Sequence, residues 1–352
     1  MNKNIMKNIY SGIAVLALLT VSHAGTLNST GTAAGSQLLI LQGSENIALS
    51  SSNGAVSGGV NSIFSNPAGL SSIGSMTGAT SSGDYIADTQ LTNFTFGMPL
   101  SEGLSMAAGV RMLDFGDIPR TTMESTEGDG STFSPSFFVA SLGLGTKVSD
   151  RVNVGVIAKV VSETMDDVSA TALAADLGVQ YAFPSGKLHV GVALKNLGSR
   201  MQYDGTGLEQ THTPADAQPG TTNENFRITA ADNPLPTSLD ISVAYALRSN
   251  LMVMSSFENF SYSLNTVSFG AKYHMNNFWV AAGTKMNVQK GDKPTAMSDQ
   301  VWEDYTESNW GTSIGFGANI DVGASVLSVA YSLKQSQEFF DGYSALEVSF
   351  SF

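Results

Sequence analysis

The feature that constrains this chain most is an alternation of period two. It recurs in segments of about ten residues and continues to the last residue. At the end of the chain, Leu346, Val348, Phe350 and Phe352 fall on one face, and Ala345, Glu347, Ser349 and Ser351 on the other. Trp310, Thr312, Ile314, Phe316, Ala318 and Ile320 oppose Gly311, Ser313, Gly315, Gly317 and Asn319 in the same way. Leu104 to Met112, Leu173 to Phe183, Leu188 to Leu194 and Val267 to Met275 repeat the division. One face is apolar and the other small or polar, the mark of a half-buried strand. Strands of soluble sheets average about five or six residues, whereas about ten is the span of a tilted strand crossing a bilayer. Beyond the first 24 residues, no stretch reaches the roughly 18 apolar residues of a spanning helix. A chain of this kind enters a membrane only as a closed barrel, because lipid satisfies no open backbone edge.

The segmentation predicts an all-β fold, an antiparallel transmembrane barrel of about 14 strands. They fall near 75–86, 89–98, 103–114, 134–148, 151–165, 169–183, 187–200, 237–248, 250–260, 264–275, 277–287, 308–319, 321–333 and 343–352. Tight turns fall at Pro99 to Glu102, Ser149 to Arg151, Pro184 to Gly186, Arg248 to Asn250, Asn276-Asn277 and Ile320-Asp321. Longer links fall at Phe115–Phe133, Ser199–Pro236, Val288–Glu307 and Lys334–Gly342. In an up-and-down count all the long links share one end and all the tight turns the other, as in bacterial outer-membrane barrels. Pairing of the first strand with the last would remove the open edges. The last strand, with Phe350 and Phe352, also reads as the signal met by the barrel-assembly machinery.

Composition narrows the function. The net charge is −13, so no basic surface exists for nucleic acid. Charged residues make up 13%, about half the usual share. No cysteine is present, which excludes disulfides, thiolate metal sites and a lipid anchor on cysteine. No phosphate-binding loop, zinc-protease histidine pair or hydrolase constellation stands out, so no enzyme activity, metal or cofactor is expected. Residues 1–24 read as a secretory signal, with Lys3 and Lys7 before an apolar run and Ser22-His23-Ala24 at the cleavage site. The expected address is the bacterial outer membrane, with the lipid bilayer as first partner.

Residues 25–74 differ from the rest. Gln37 to Leu41 and Asn46 to Ser50 suit short helical turns. In Asn66-Pro67-Ala68-Gly69-Leu70, Asn66-Pro67 starts a turn, Pro67 suits a first helical position, and Gly69 permits close backbone approach. Two readings stand: a loop before the first strand, or a plug or hatch inside the barrel, followed by the barrel at 75–352. Within the strands the ionisable groups fall on the polar, lumen side: Arg111, Lys159, Asp176, His189, Lys195, Asp240, Lys272, His274, Lys285 and Glu347. A polar barrel interior explains them, and a few could line a substrate path.

Three motifs carry a resemblance: Asn66-Pro67-Ala68-Gly69-Leu70, Val192 to Gly198 with its Asn196-Leu197-Gly198 end, and Pro234 to Leu239. Together they resemble the PorV/PorQ family of the FadL-like outer-membrane barrels, over essentially the whole chain after residue 24. The resemblance implies a fourteen-stranded barrel with an N-terminal hatch in its lumen. PorV-like members act with the type IX secretion system, which implies secretion-system proteins or secreted cargo as partners. FadL-like members carry long-chain fatty acids and other hydrophobic compounds, which implies a hydrophobic small molecule instead. The polar outer loops offer no large apolar groove, so the PorV/PorQ-like role is the leading expectation and hydrophobic transport the alternative.

Overall fold

The computed structural model describes residues 31–212, 224–288, 293, 295–308, 310–336 and 341–352. The expected signal segment at 1–24 lies outside the described residues. Fourteen long strands form one closed antiparallel sheet. They are β1 Thr77–Asp84, β2 Gln90–Ser101, β3 Leu104–Asp114, β4 Ser136–Ser149, β5 Val152–Met165, β6 Val168–Ala182 and β7 Leu188–Gly198. The second half comprises β8 Ser238–Arg248, β9 Leu251–Phe260, β10 Thr266–Met275, β11 Phe278–Asn287, β12 Trp310–Val322, β13 Ser325–Ser336 and β14 Tyr343–Ser351. A two-residue strand, Asp204–Gly205, adds to the outer end of β6. Closure comes from β1 against β14, in register from Thr77↔Ser351 to Ser82↔Leu346.

The barrel is apolar outside and polar inside. Leu142, Phe278, Ile314, Phe316 and Leu346 stand more than half exposed on the outer face, while Ser105, Arg111, Asp176, Ser242, Ser268 and Ser313 are buried on the inner one. The period-two pattern produces this directly, because successive side chains point to opposite faces of a strand. An outer face of this kind is stable in hydrocarbon and costly in water.

Strand positions follow the sequence reading closely, with four corrections. The turn expected at Ile320-Asp321 lies at Gly323-Ala324, where Val322 pairs with Ser325 and Gly323 takes φ +66. Lys334, expected in a loop, is a buried residue of β13. Trp310, expected on the outer face, packs beside Tyr85, because the ladder from β12 to β13 shifts register between Trp310 and Ser313. The link after β11 was expected to be a loop and contains a helix, Asp299–Thr306, whose N-cap Ser298 accepts from the Val301 N–H.

Residues 31–76 run inside the barrel. They form a 3-10 turn at Ser36–Leu39, a short helix α1 at Ser44–Ala48, and 3-10 turns at Val60–Phe64 and Pro67–Ser72. Helix Asp299–Thr306 is α2. Ile47, Ala48, Leu49, Ile63, Ala68 and Leu70 are almost fully buried. They pack with inward-facing side chains of the wall, as Leu49 and Ala55 do with Ala244, Met254 and Trp279.

Candidate functional site

The inner segment is seated by the inward-facing glycines of the wall. Gly145, Gly155 and Gly178 pair in a row across β4, β5 and β6. A Cβ at Gly155 would lie 2.1 Å from the Pro67 carbonyl oxygen, and one at Gly178 would lie 2.1 Å from Asn66 Oδ1. Gly143 and Gly145 receive Leu70 in the same way, Gly191 receives Gly54 and Ala55, and Gly283 receives Leu49. Only glycine permits this approach of one backbone to another. Within the motif, Asn66 caps the turn by accepting from the Ala68 N–H at 3.1 Å. Its amide also donates to Gly54 O at 3.0 Å and Val179 O at 3.3 Å, tying the motif to the wall. Pro67 occupies the first helical position, and Gly69 packs against the Ser57 carbonyl, where a Cβ would come within 2.2 Å.

The other two motifs meet nearby. Asn196 turns inward with φ +58, at a bulge where β7 shifts against β6. Its N–H donates to Asp176 Oδ1 at 2.7 Å, and its side-chain amide donates to Pro236 O at 3.1 Å. Thr237 Oγ1 closes the group by donating to Asn196 O at 3.0 Å. Leu197 faces outward, and Gly198 leaves room for Leu235. Three stretches far apart in the chain thus form one structural unit.

Toward the loop end, against Gln37 and Ser51 of the inner segment, lies a belt of charge. Lys159 meets Asp176 at 2.5 Å, and Lys195 meets Asp240 at 3.2 Å and Glu258 at 3.7 Å. Lys285 donates to the other oxygen of Glu258. Arg111 donates to Gln37 O at 2.8 Å and lies over the Phe64 ring, while Lys334 lies over Trp310. Of the ten ionisable groups assigned to the lumen side from sequence, Arg111, Lys159, Asp176, Lys195, Asp240, Lys272, Lys285 and Glu347 point to the inner face. Arg111, Lys159, Asp176 and Lys195 belong to this belt. Lys272 and Glu347 lie lower, with Lys272 paired to Glu45 at 2.5 Å and Glu347 accepting from the Ser44 N–H. Sequence reasoning missed Glu258 and Lys334. Met252 and Met254 put apolar residues on the inner face of β9, which hides the alternation around Glu258. Lys334 lies among the last residues of β13, which continues to Ser336, three residues past the expected end at Leu333.

Beside the belt the wall opens. β11 stays paired with β10 up to Asn287↔Thr266, but its ladder with β12 ends at Gly283↔Ser313. Among the described residues no ladder pair joins the two strands beyond that point. A cavity of about 600 Å³ occupies the gap. Lys285 and Trp310 line it from the lumen side, and Thr284, Met286 and Thr312 from the outer face. Glu303 and Thr306 of α2 roof it, and the Asn287 side-chain amide holds that roof by donating to Thr306 O at 3.0 Å. A second, apolar cavity of about 140 Å³ lies at the same end, lined by Leu39, Pro236, Phe260 and Tyr262. In the link after β7, burial and a hydrogen bond to Glu163 push the Tyr203 phenol well above its usual range. Burial pushes Tyr85, in the link between β1 and β2, up to about 12.

The fold and its inverted polarity define a class: a fourteen-stranded membrane-type barrel whose lumen is occupied by its own N-terminal segment. No protein-family model matches the chain, and no curated protein matches it. Solved structures do. The CymD monoaromatic hydrocarbon channel is similar with a TM-score of 0.54 at 13% identity, over 88% of this chain and 97% of that one. The toluene transporter TodX of Pseudomonas putida is similar with a TM-score of 0.54 at 11% identity, over 89% and 98%. At such identity the likeness establishes the fold alone.

Proposed function

We propose that this protein is an outer-membrane channel for small hydrophobic compounds, the FadL-like alternative rather than the secretion role expected first. The observation that carries the reading is the gap between β11 and β12. Its cavity lies within the roughly 300–1,000 Å³ of small-molecule sites, and its lining changes from lumen residues to outer-face residues. An apolar compound descending the centre would meet the charged belt and then the tightly seated residues 49–70. A sideways exit through the gap avoids both and ends in hydrocarbon, where the compound is more stable than in water. The apolar cavity at Leu39 and Phe260 offers a first resting place. The likeness to a toluene transporter and a monoaromatic hydrocarbon channel supports the same substrate class. In this reading residues 25–74 are a plug, Asn66 to Leu70 are the motif that fixes it, and Phe350 and Phe352 serve barrel assembly.

The test is entry of radiolabelled toluene into cells that depend on this barrel, with wild type and Thr312→Trp compared. The indole would fill the outer mouth of the gap, so entry should fall to the level of cells lacking the barrel. Wild-type entry in the Trp variant would remove the gap from the pathway, and equal entry without the barrel would remove the function.

A second reading keeps the PorV/PorQ-like role, with secreted proteins or secretion machinery bound at the outer loops. One observation favours it: the paired ribbon Glu209–His212 with Glu224–Arg227 stands outside the barrel, with Phe226 and Ile228 about half exposed. Deleting 206–230 should abolish partner capture while the barrel still folds; unchanged secretion would end this reading.

A further inference from the structure

The tight-turn end of the barrel carries four cations that the proposed transport does not use. Lys147 lies near the end of β4, Arg151 in the turn to β5, Lys187 in the turn before β7, and Arg248 at the end of β8. All four are exposed. Among the described residues, none of their side chains has an ion pair, a hydrogen bond or an aromatic ring. Every other described Lys or Arg has at least one of these. Even exposed cations at the loop end are matched, Arg200 by Asp232 and Arg227 by Asp204. With 30 Asp and Glu against 17 Lys and Arg, a shortage of carboxylates does not explain the difference.

The four are also gathered on one arc. They lie on three successive turns, from β4 to β5, β6 to β7 and β8 to β9, where Asp150 is the one acidic residue. The other tight turns carry no Lys or Arg; Glu102 stands in the one after β2, and Asp321 just before the one after β12. Neighbouring strands lie about 4.8 Å apart, so successive turns are about 10 Å apart and the three span roughly 20 Å. Lys147 pairs with Asn153 on the inner face that Gly145 and Gly155 share. Lys187 stands two residues before His189, which pairs with the buried Ala244 on the inner face. These two belong to the mouth of the barrel. The lipid-facing rim beside them carries Val148, Phe183 and Leu247 instead. The inner segment floors the mouth, where Gln180 of β6 donates to Gly54 O at 2.9 Å and Ser57 O at 3.0 Å.

We propose that this arc docks an acidic, extended peptide segment of a soluble protein on the tight-turn side of the membrane. At about 3.3 Å per residue, roughly six extended residues cover the span, so one run of Asp or Glu meets all three turns. A single small anion reaches one turn at a time. Lipid headgroups lie outside the wall, away from Lys147 and Lys187. A second copy in the same membrane keeps its carboxylate-rich loops, 114–129 and 299–307, at the opposite end. Each exposed cation attracts weakly on its own, so affinity rests on the four acting together. The surface is independent of the transport reading, since the gap between β11 and β12 lies at the loop end.

The experiment is fluorescence anisotropy of a labelled octa-aspartate peptide with the full chain in a neutral mild detergent. Salt is held at about 0.15 M, where exposed charges more than about 8 Å apart are screened. Saturable one-site binding is expected. Lys147→Gln, Arg151→Gln, Lys187→Gln and Arg248→Gln should each weaken it about two- to fivefold, and the quadruple variant by about tenfold or more. Arg200→Gln with Arg227→Gln, at the loop end, should leave it unchanged. Tri-aspartate, too short for the span, should compete only at about tenfold higher concentration or more. Heat-modifiable gel migration reports whether each variant is folded. Absence of saturable binding to the wild type overturns the proposal. So does wild-type affinity in the quadruple variant, equal loss in the loop-end variant, or equal competition by tri-aspartate. Phosphatidylglycerol held in stoichiometric amount by the wild type and lost from the quadruple variant, without peptide binding, assigns the cations to lipid and overturns it as well.

Discussion

Replacing Gly155 by alanine tests the seating of the inner segment most sharply. The added methyl would lie 2.1 Å from the Pro67 carbonyl oxygen and 2.3 Å from its carbon. Ordinary contacts of a methyl lie near 3.5–4.0 Å, so either the motif or β5 must move by more than about 1 Å. The obstacle is backbone on both sides, with no side chain free to rotate away. Overpacking costs about 1–3 kcal/mol in cores that can relax, and the upper end applies here. With a urea dependence of about 1–3 kcal/mol per molar, the unfolding midpoint should drop by roughly 1 M or more. The assay is urea unfolding in lipid vesicles, followed by tryptophan fluorescence. Gly78→Ala in β1 is the control, because nothing lies within 4 Å of its Cβ position. It should be neutral or stabilising by about 0.5–1 kcal/mol, the usual gain from removing a strand glycine. If Gly155→Ala unfolds at the same urea concentration as Gly78→Ala, residues 66–70 do not sit against the wall and the reasoning fails.

Other predictions follow the same geometry. Asn66→Ala removes the cap on Ala68 and the amide bonds to Gly54 and Val179, and should cost about 1–2 kcal/mol in the same unfolding assay. Glu258→Gln leaves Lys195 and Lys285 without their shared carboxylate and should cost about 3–5 kcal/mol, the range for breaking a buried ion pair. Tyr203 and Tyr85 hold their protons more tightly folded than unfolded, so their contribution is complete below the unfolded value near 10 and declines as pH rises through it. Unfolding midpoints should therefore fall above about pH 10, and Tyr203→Phe should reduce that dependence.

Much of this molecule was legible in its sequence because the lipid-facing side of a barrel strand must be apolar at every second residue. That requirement placed all the long strands within a few residues, from Thr77 to Ser351. It also placed Arg111, Lys159, Asp176, Lys195, Lys272 and Glu347 on the inner face. The reading failed where the local rule breaks. Trp310 sits at a register shift, where alternation reverses sides. In β9 the inner face carries methionines that only the buried segment explains. The gap between β11 and β12 left no mark at all, because it is a pairing that stops, and pairing is a property of two distant strands. The glycine seat was visible only as abundance, 36 glycines in the chain, until the three-dimensional register aligned Gly145, Gly155 and Gly178 under Pro67. The preference for a secretion role rested on polar loops. The 600 Å³ cavity forms where the link after β11 folds as α2 over a gap in the wall, a placement that loop composition does not disclose.

The most direct test of the central claim is mass spectrometry, of small molecules and proteins alike, on the barrel extracted from native outer membranes in mild detergent. The account predicts an apolar compound bound in stoichiometric amount, lost from Thr312→Trp, with no secretion protein in matching quantity. Stoichiometric secretion components or cargo, together with a barrel free of apolar compound, would contradict it.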